Sequence, residues 1–333
     1  MKPTFSIVIT IFNRKDELFE LLNSLAFQTD KDFEVIVVDD GSQISLLPTI
    51  ELFNERLAIQ FFRKENSGPG LSRNFGARKS NGEWLIFLDS DVILEKDYIA
   101  NVRRNIAEIP CDAFGGADRA HKGFNLMQKG ISYAMTSVLT TGGIRGSKKA
   151  VTKFQPRSFN MGVKKSAFLE VGGFSEMRVG EDPDLSMKLW ENGFTTAFFD
   201  GIAVYHKRRV DLGKFSKQVY QFGCARPILN QRHPKFVKLS FAFPSLFLIG
   251  YFLAFIEYFV LKQGFVLALY GLYTLLVFFH AMLTTMNISI AGIAVIATYI
   301  QHFSYGYGFL KTWFLLNVVK MQPKEAFPEG FNG

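Results

Sequence analysis

Trp84-Leu85-Ile86-Phe87-Leu88-Asp89-Ser90-Asp91 is an apolar run that stops on two carboxylates one residue apart. A run this short and this apolar, with Gly82 before it and acids after it, has the pattern of a central parallel strand covered on both faces. Ligands of open α/β sheets bind beyond the carboxyl ends of such strands, which is where Asp89 and Asp91 fall. Their oxygens are hard donors suited to Mg²⁺ or Mn²⁺, and an ion held by few protein ligands generally has phosphates completing its shell. An isolated Asp-x-Asp is equally a strand-end turn or a helix cap, so its meaning rests on its neighbours.

Those neighbours alternate strand and helix. Phe5–Thr10 reads as a buried strand, and Lys15–Phe27 carries Leu18, Leu21, Leu22 and Leu25 at helical spacing. Phe33–Val38 is a second apolar strand that ends in Asp39-Asp40-Gly41-Ser42. A helix over Ile44–Leu57, a strand over Ala58–Phe62 and a Gly/Pro loop opening a helix to Ser80 complete the approach to Trp84. Such alternation specifies a parallel sheet with helices on both faces. Beyond it the pattern predicts an amphipathic stretch over Phe124–Leu139, a loop at Thr141-Gly142-Gly143 and a short helix over Ser166–Val171. A helix over Asp182–Asn192 and strands at Thr195–Phe199 and Ile202–His206 follow.

The last third changes character. Leu239–Leu261 and Gly264–Leu283 are almost wholly apolar, and Ile288–Ile300 continues into an aromatic stretch ending at Phe314. A bilayer core requires about 20 apolar residues per helix, which the first two meet and the third meets with its aromatic extension. Three spans place Lys311, Lys320 and Lys324 outside, against the usual charge bias; two spans with an interfacial third segment keep them inside. The apolar pattern favours three.

The net charge of +8 is local. Nine Lys or Arg and one acid, Asp211, lie between Ile202 and Ser240; taking these from totals of 38 basic and 30 acidic residues leaves 29 of each. Basic residues beside apolar spans face the cytoplasm and the anionic leaflet. No nucleic-acid-binding motif accompanies them, which argues against a nucleic-acid partner. Cys111 and Cys224 stand alone and far apart, suggesting neither a disulfide framework nor a thiolate site. Phe5–Phe12 is too short for a secretory signal.

Five motifs in order, Phe5-Ser-Ile-Val-Ile-Thr-Ile-Phe-Asn-Arg14, Val37-Val-Asp-Asp-Gly-Ser42, Ser72-Arg-Asn-Phe-Gly76, Leu88-Asp-Ser-Asp91 and Gly180-Glu-Asp-Pro-Asp-Leu185, resemble those of family 2 glycosyltransferases. This is an inverting group with the GT-A fold, a Rossmann-like α/β architecture, here followed by C-terminal transmembrane helices. The resemblance covers roughly residues 3–210. It implies a GT-A domain over 1–210, a basic amphipathic interfacial segment over 211–238, membrane or interfacial helices over 239–314 and a tail over 315–333.

The resemblance also implies roles. Thr10, Phe12 and Asp40 hold the nucleobase and ribose, Asp39 being left to cap the turn, and Arg73 lies near base and phosphates. Asp91 ligates a divalent metal (Mg²⁺ or Mn²⁺), and Asp89 contacts ribose or metal-bound water. Asp182 is the base that deprotonates the acceptor hydroxyl, with Glu181 or Asp184 capping the helix. His206 either completes the metal shell or touches the diphosphate, or it is an interfacial residue of the basic patch with Lys207-Arg208-Arg209. Asn160 and Gly172-Gly173 shape the acceptor side, and Met161 and Trp190 belong to the core; His121, His233, His280 and His302 receive no role. The chain lacks the Gln-x-x-Arg-Trp of processive synthases. Gln218–Arg232 is instead similar to the basic helix of membrane-bound, single-addition polysaccharide transferases, leaving Arg226 and Arg232 for an acceptor phosphate. Ile93 stands where polyprenyl-phosphate sugar synthases usually carry glutamine. The expected function is single-sugar transfer from a nucleotide sugar, UDP-sugar favoured, to a lipid-linked glycan at the cytoplasmic face of the inner membrane. A polyprenyl-phosphate sugar synthase and a non-catalytic membrane scaffold are the rivals; a nucleotidyltransferase is disfavoured by the missing N-terminal basic glycine loop.

Overall fold

A computed structural model describes residues 2–120, 125–141, 154–206 and 211–332. The chain divides into two compact units. The first contains the strands β1 (Phe5–Ile11), β2 (Phe33–Asp39), β3 (Ile59–Arg63), β4 (Trp84–Asp89), β5 (Val92–Leu94), β6 (Ala113–Gly115), β7 (Asp118–Ala120), β8 (Asn160–Lys164), β9 (Thr196–Phe198) and β10 (Val204–His206). Seven of them form one sheet in the order β3-β2-β1-β4-β8-β6-β9, and β5-β10-β7 form a second.

Strands β3, β2, β1 and β4 run parallel, in keeping with the largely apolar composition of β1, β2 and β4. Successive side chains alternate between two faces. Ile7, Ile9, Val35, Val37, Ile86 and Leu88 pack into one core with Leu18, Leu21, Ile99 and Val102. Val8, Ile36, Val38, Leu85 and Phe87 pack into another with Ala77, Phe168, Leu185 and Leu189. The helices Lys15–Ala26 and Tyr98–Glu108 therefore supply one face and Pro69–Lys79, Lys165–Glu170 and Glu181–Glu191 the other. Losing one such wholly buried ring, as in Phe87→Ala, costs about 3–5 kcal/mol in comparable cores.

Register fixes what meets at the sheet's end. Thr10 pairs with Asp89 across β1–β4, and Ile11 pairs with Asp39 across β1–β2. The chain steps from β1 to β2 on one side and returns to β4 on the other, so a crevice opens where the strand order reverses.

The sheet is mostly parallel, as expected, and mixed, because β8 runs antiparallel to both β4 and β6; Asn160-Met-Gly-Val-Lys164 is too short and varied to show strand periodicity. Two expectations change. The predicted helix over Ile44–Leu57 shrinks to Leu47–Glu51. Pro48 opens it, and the chain continues in turns closed by i→i+3 bonds, including Arg56 N to Phe53 O at 2.9 Å. The expected continuous domain over 1–210 is interrupted: residues 125–141 belong to the second unit, and Phe331 and Asn332 to the first. Gly142-Gly143 and Lys207-Arg208-Arg209 lie outside the described residues.

The second unit is helical. Leu212–Arg232 is one long helix, and it packs along Ile288–Asn317. Gly223 lies against the backbone of Tyr305, and Gly308 against that of Tyr220, so the two axes approach closely. Leu126–Thr136 adds Ile131, Ala134 and Met135 to a core with Phe215, Val219 and Ala297. Among the described residues, three helices are long and apolar enough to cross a membrane: Leu239–Leu261, Phe265–Thr285 and Ile288–Asn317. Most of their outward residues are apolar, including Leu239, Phe265 and Leu283, while Thr298, His302 and Thr312 are buried. Such an inverted exterior suits a hydrocarbon surrounding and associates the chain with a membrane.

Candidate active site

Asp39 and Asp40 end up in different jobs. Asp39 is fully buried, and its Oδ1 accepts from Ser42 N at 2.8 Å, the turn-capping role expected of it. Asp40 is also buried. Its carboxylate accepts from Ser67 N (2.9 Å), Gly68 N (2.9 Å), Ser72 Oγ (2.7 Å) and Lys64 Nζ (2.5 Å). Asp40 thus folds the 64–72 loop around itself, a structural duty that the sequence reading did not foresee. Asn13 ties the loop after β1 to the same turn: its N–H donates to Ser42 Oγ and its Oδ1 accepts from Gln43 N. Beside it Phe12 is half exposed, an aromatic face open at the crevice.

Arg73 is the hub of the site. It lies on the first turns of the Pro69–Lys79 helix and is buried, not a solvated helix residue. Its Nη2 donates to Asp89 Oδ1 at 2.8 Å and its Nη1 to Glu181 Oε1 at 3.2 Å. The guanidinium also lies 5.4 Å from the Phe174 ring centroid. Asn74 clasps the same segment, donating to Phe174 O and accepting from Phe174 N. Gly172-Gly173 form the turn that delivers it.

Asp91, one step beyond Asp89, accepts from Arg14 Nη1 at 2.8 Å. Both aspartates keep part of their side chains open, 37% for Asp89 and 22% for Asp91. Among the described residues no three His, Cys, Asp or Glu side chains gather into an ion-binding group. Two open carboxylates fit an ion whose remaining ligands come from a bound phosphate. Strand β10 sets His206 beside Val92, the residue after Asp91; its side chain lies outside the description.

The helix Glu181–Glu191 begins with Glu181, Asp182 and Asp184, placing acids where its dipole favours them. Burial pushes the Glu181 carboxyl up to about 7; the charge of Asp182 adds to the rise and Arg73 opposes it. Asp182 remains partly open, with its Oδ2 3.5 Å from Arg157 Nη1. Arg157 was missed by sequence reasoning, since nothing local marks it; only the fold brings it to the acid. Asp184 is buried near Lys188.

Asn160 proves to be a brace. It is fully buried, accepts from Tyr98 OH at 2.6 Å and donates to Ile202 O at 2.7 Å. Met161 and Trp190 are core residues, as expected. Arg226 and Arg232 lie on the Leu212–Arg232 helix of the second unit. Arg226 stacks 4.0 Å from the Phe241 ring centroid, and its buried Nε and Nη1 have no hydrogen-bond partner among the described residues.

Residues 6–168 match the family model described as glycosyl transferase family 2. An uncharacterized glycosyltransferase of Haemophilus influenzae is 32% identical over 202 residues, which cover 58% of this chain and 64% of that protein. The poly(ribitol-phosphate) beta-N-acetylglucosaminyltransferase TarS of Staphylococcus aureus is 34% identical over 108 residues, 31% of this chain and 19% of that one. Matched stretches in other curated relatives are as short as 12% of their length. In fold, the chain is similar to the mannosyltransferase PcManGT from Pyrobaculum calidifontis, solved with GDP-Man and Mn²⁺. The TM-score is 0.64 at 16% identity, over 91% of this chain and 87% of that one. Through residues 6–168 the chain carries the glycosyl transferase family 2 match, and its fold is the GT-A fold.

Proposed function

We propose that the protein is an inverting, metal-dependent transferase that moves one sugar from a nucleoside diphosphate donor, UDP-sugar favoured, to a membrane-held glycan. The acceptor is a polyprenyl-diphosphate-linked chain of a surface polysaccharide, met at the cytoplasmic face of the inner membrane. One observation carries the reading: Arg73 bonds Asp89 and Glu181 together, so the donor aspartates and the acid pair containing Asp182 share one charge network.

The residues divide the work. Phe12 packs on the nucleobase, Thr10 and the loop organised by Asp40 line the nucleoside crevice, and Arg73 sets the geometry between donor and base. Asp91 and Asp89 would hold Mg²⁺ or Mn²⁺, with His206 as a further candidate ligand; such an ion would supply charge neutralisation at the leaving diphosphate. Arg14 adds positive charge beside Asp91. Asp182 accepts the acceptor hydroxyl proton as that oxygen attacks the anomeric carbon. Arg157 holds Oδ2 and leaves Oδ1 to receive the proton. A single displacement inverts the configuration and needs no carboxylate nucleophile.

On the membrane side, the three apolar helices support anchorage. Arg226, with two buried nitrogens unpartnered among the described residues and no acid between Leu212 and Ile256, suits an acceptor phosphate, with Arg232 in support. Support for the donor and ion comes from the mannosyltransferase of like fold, solved with GDP-Man and Mn²⁺. The test is a panel of nucleotide sugars with Mn²⁺ and either a lipid-linked oligosaccharide or bare polyprenyl phosphate. Transfer to the oligosaccharide, lost in Asp91→Ala and in Asp182→Asn, is the expected result. Transfer to bare polyprenyl phosphate alone overturns the acceptor, and wild-type rates in either variant overturn its assigned role.

A further inference from the structure

Phe331 and Asn332 belong to the first unit although they follow the last helices in the chain. Phe331 is 6% exposed and forms an antiparallel bridge with the fully buried Met177. Asn332 N donates to Glu176 O at 3.1 Å. Anchored on both sides, the segment lays the Asn332 carboxamide on Gly68: a methyl group added at Gly68 would stand 1.9 Å from Asn332 Oδ1.

Gly68 is a sensitive place to press. Its φ of +87° lies in the left-handed region that glycine alone adopts readily. Its N–H is one of the donors that hold Asp40, and it precedes the helix bearing Ser72 and Arg73. From the other side, Gly70 lies against the backbone carbonyls of Ser175 and Met177. Asn332 and residues 174–177 therefore hold the 68–70 loop between them.

We propose that Asn332 is a positioning residue of the donor pocket: it fixes the Gly68 loop, and through it Asp40 and Arg73, in the form that receives a nucleoside diphosphate. The inference rests on the reading of that pocket as the donor site. With the carboxamide gone, the loop samples other forms and binding must supply the free energy of ordering it. Asn332→Ala keeps the Phe331 anchor and the backbone bond to Glu176, so the fold is retained.

The test titrates UDP, and GDP in parallel, with Mn²⁺ into the full chain by calorimetry, followed by steady-state transfer. Asn332→Ala is expected to weaken nucleotide binding and raise donor KM about three- to tenfold, with kcat within twofold of the unsubstituted protein. Phe331→Ala should behave alike, and Phe331→Leu should restore binding. A double-mutant cycle isolates the contact. Gly68→Ala meets both strain and collision, but in an Asn332→Gly background it meets strain alone, so its effect on Kd should be at least threefold smaller. Unchanged binding in Asn332→Ala, an additive cycle, or a fall in kcat with KM unmoved overturns the proposal. Absence of nucleotide binding in the unsubstituted protein overturns the donor-site reading itself, and this inference with it.

Discussion

The first unit holds two acid pairs, Asp89 with Asp91 and Glu181 with Asp182, and it treats them differently. Asp89 and Asp91 each face an arginine at 2.8 Å and keep open oxygens. Glu181 is closed off, and burial pushes its carboxyl up to about 7. Open carboxylates flanked by cations suit lasting contact with an ion and a diphosphate. A carboxylate beside a protonatable neighbour, at the start of a helix, suits the handling of a proton. One guanidinium touches a member of each pair, 16 residues away at Asp89 and 108 away at Glu181. The proposed division between binding and chemistry rests on how each pair is covered.

The largest expected effect tests the second pair. Asp182→Asn should lower kcat roughly 10³-fold, within the range of general base catalysis, while donor KM stays within a few-fold. Steady-state kinetics against donor concentration would show it, and an equal rise in KM would merge the two pairs into one binding site.

Next comes the bridge. Arg73→Lys keeps the charge but cannot reach two carboxylates in fork geometry, and kcat/KM should fall about 10²-fold. Arg73→Met leaves Asp89 and Glu181 without their shared partner and should cost about 3–5 kcal/mol in urea unfolding. Stability unchanged in Arg73→Met would mean that the bridge is incidental.

Glu181 makes a pH prediction. Its carboxyl is held above the ordinary value of 4.5 and titrates at about 7, so between these pH values the folded protein retains a proton that the unfolded chain has released. This contribution to stability is full below about pH 4.5 and is lost as pH rises to about 7. Glu181→Gln should flatten that slope and leave the variant about 1–3 kcal/mol more stable at pH 8 relative to pH 4.5. Parallel slopes in the two proteins would place the titration elsewhere. The smallest effect belongs to Arg14→Ala. Its pair with Asp91 is half exposed, and its removal should shift stability by less than about 1 kcal/mol.

Much of this site was legible because its acids sit at element ends. The apolar runs of β1, β2 and β4 locate Thr10, Asp39 and Asp89, and parallel register then sets them side by side. Sequence had no means of reporting partners closed by the fold: Arg157 on Asp182, Lys64 and Ser72 on Asp40, Asn332 on Gly68. Asn160 looked like an acceptor residue because motif order does not show which way a side chain points; its two bonds are internal. In the second unit the spans were readable from length and composition. That Leu126–Thr136 joins them was not, since helical periodicity reveals an apolar face without naming the core it enters.

The separation of the two acid pairs is tested most directly by titrating UDP with Mn²⁺ into Asp91→Asn and Asp182→Asn by calorimetry and then measuring single-turnover transfer by the same samples. The account predicts that Asp91→Asn loses metal-dependent binding, whereas Asp182→Asn binds as the unsubstituted protein does and transfers no sugar. Full binding in Asp91→Asn, or sugar transfer by Asp182→Asn, would contradict it.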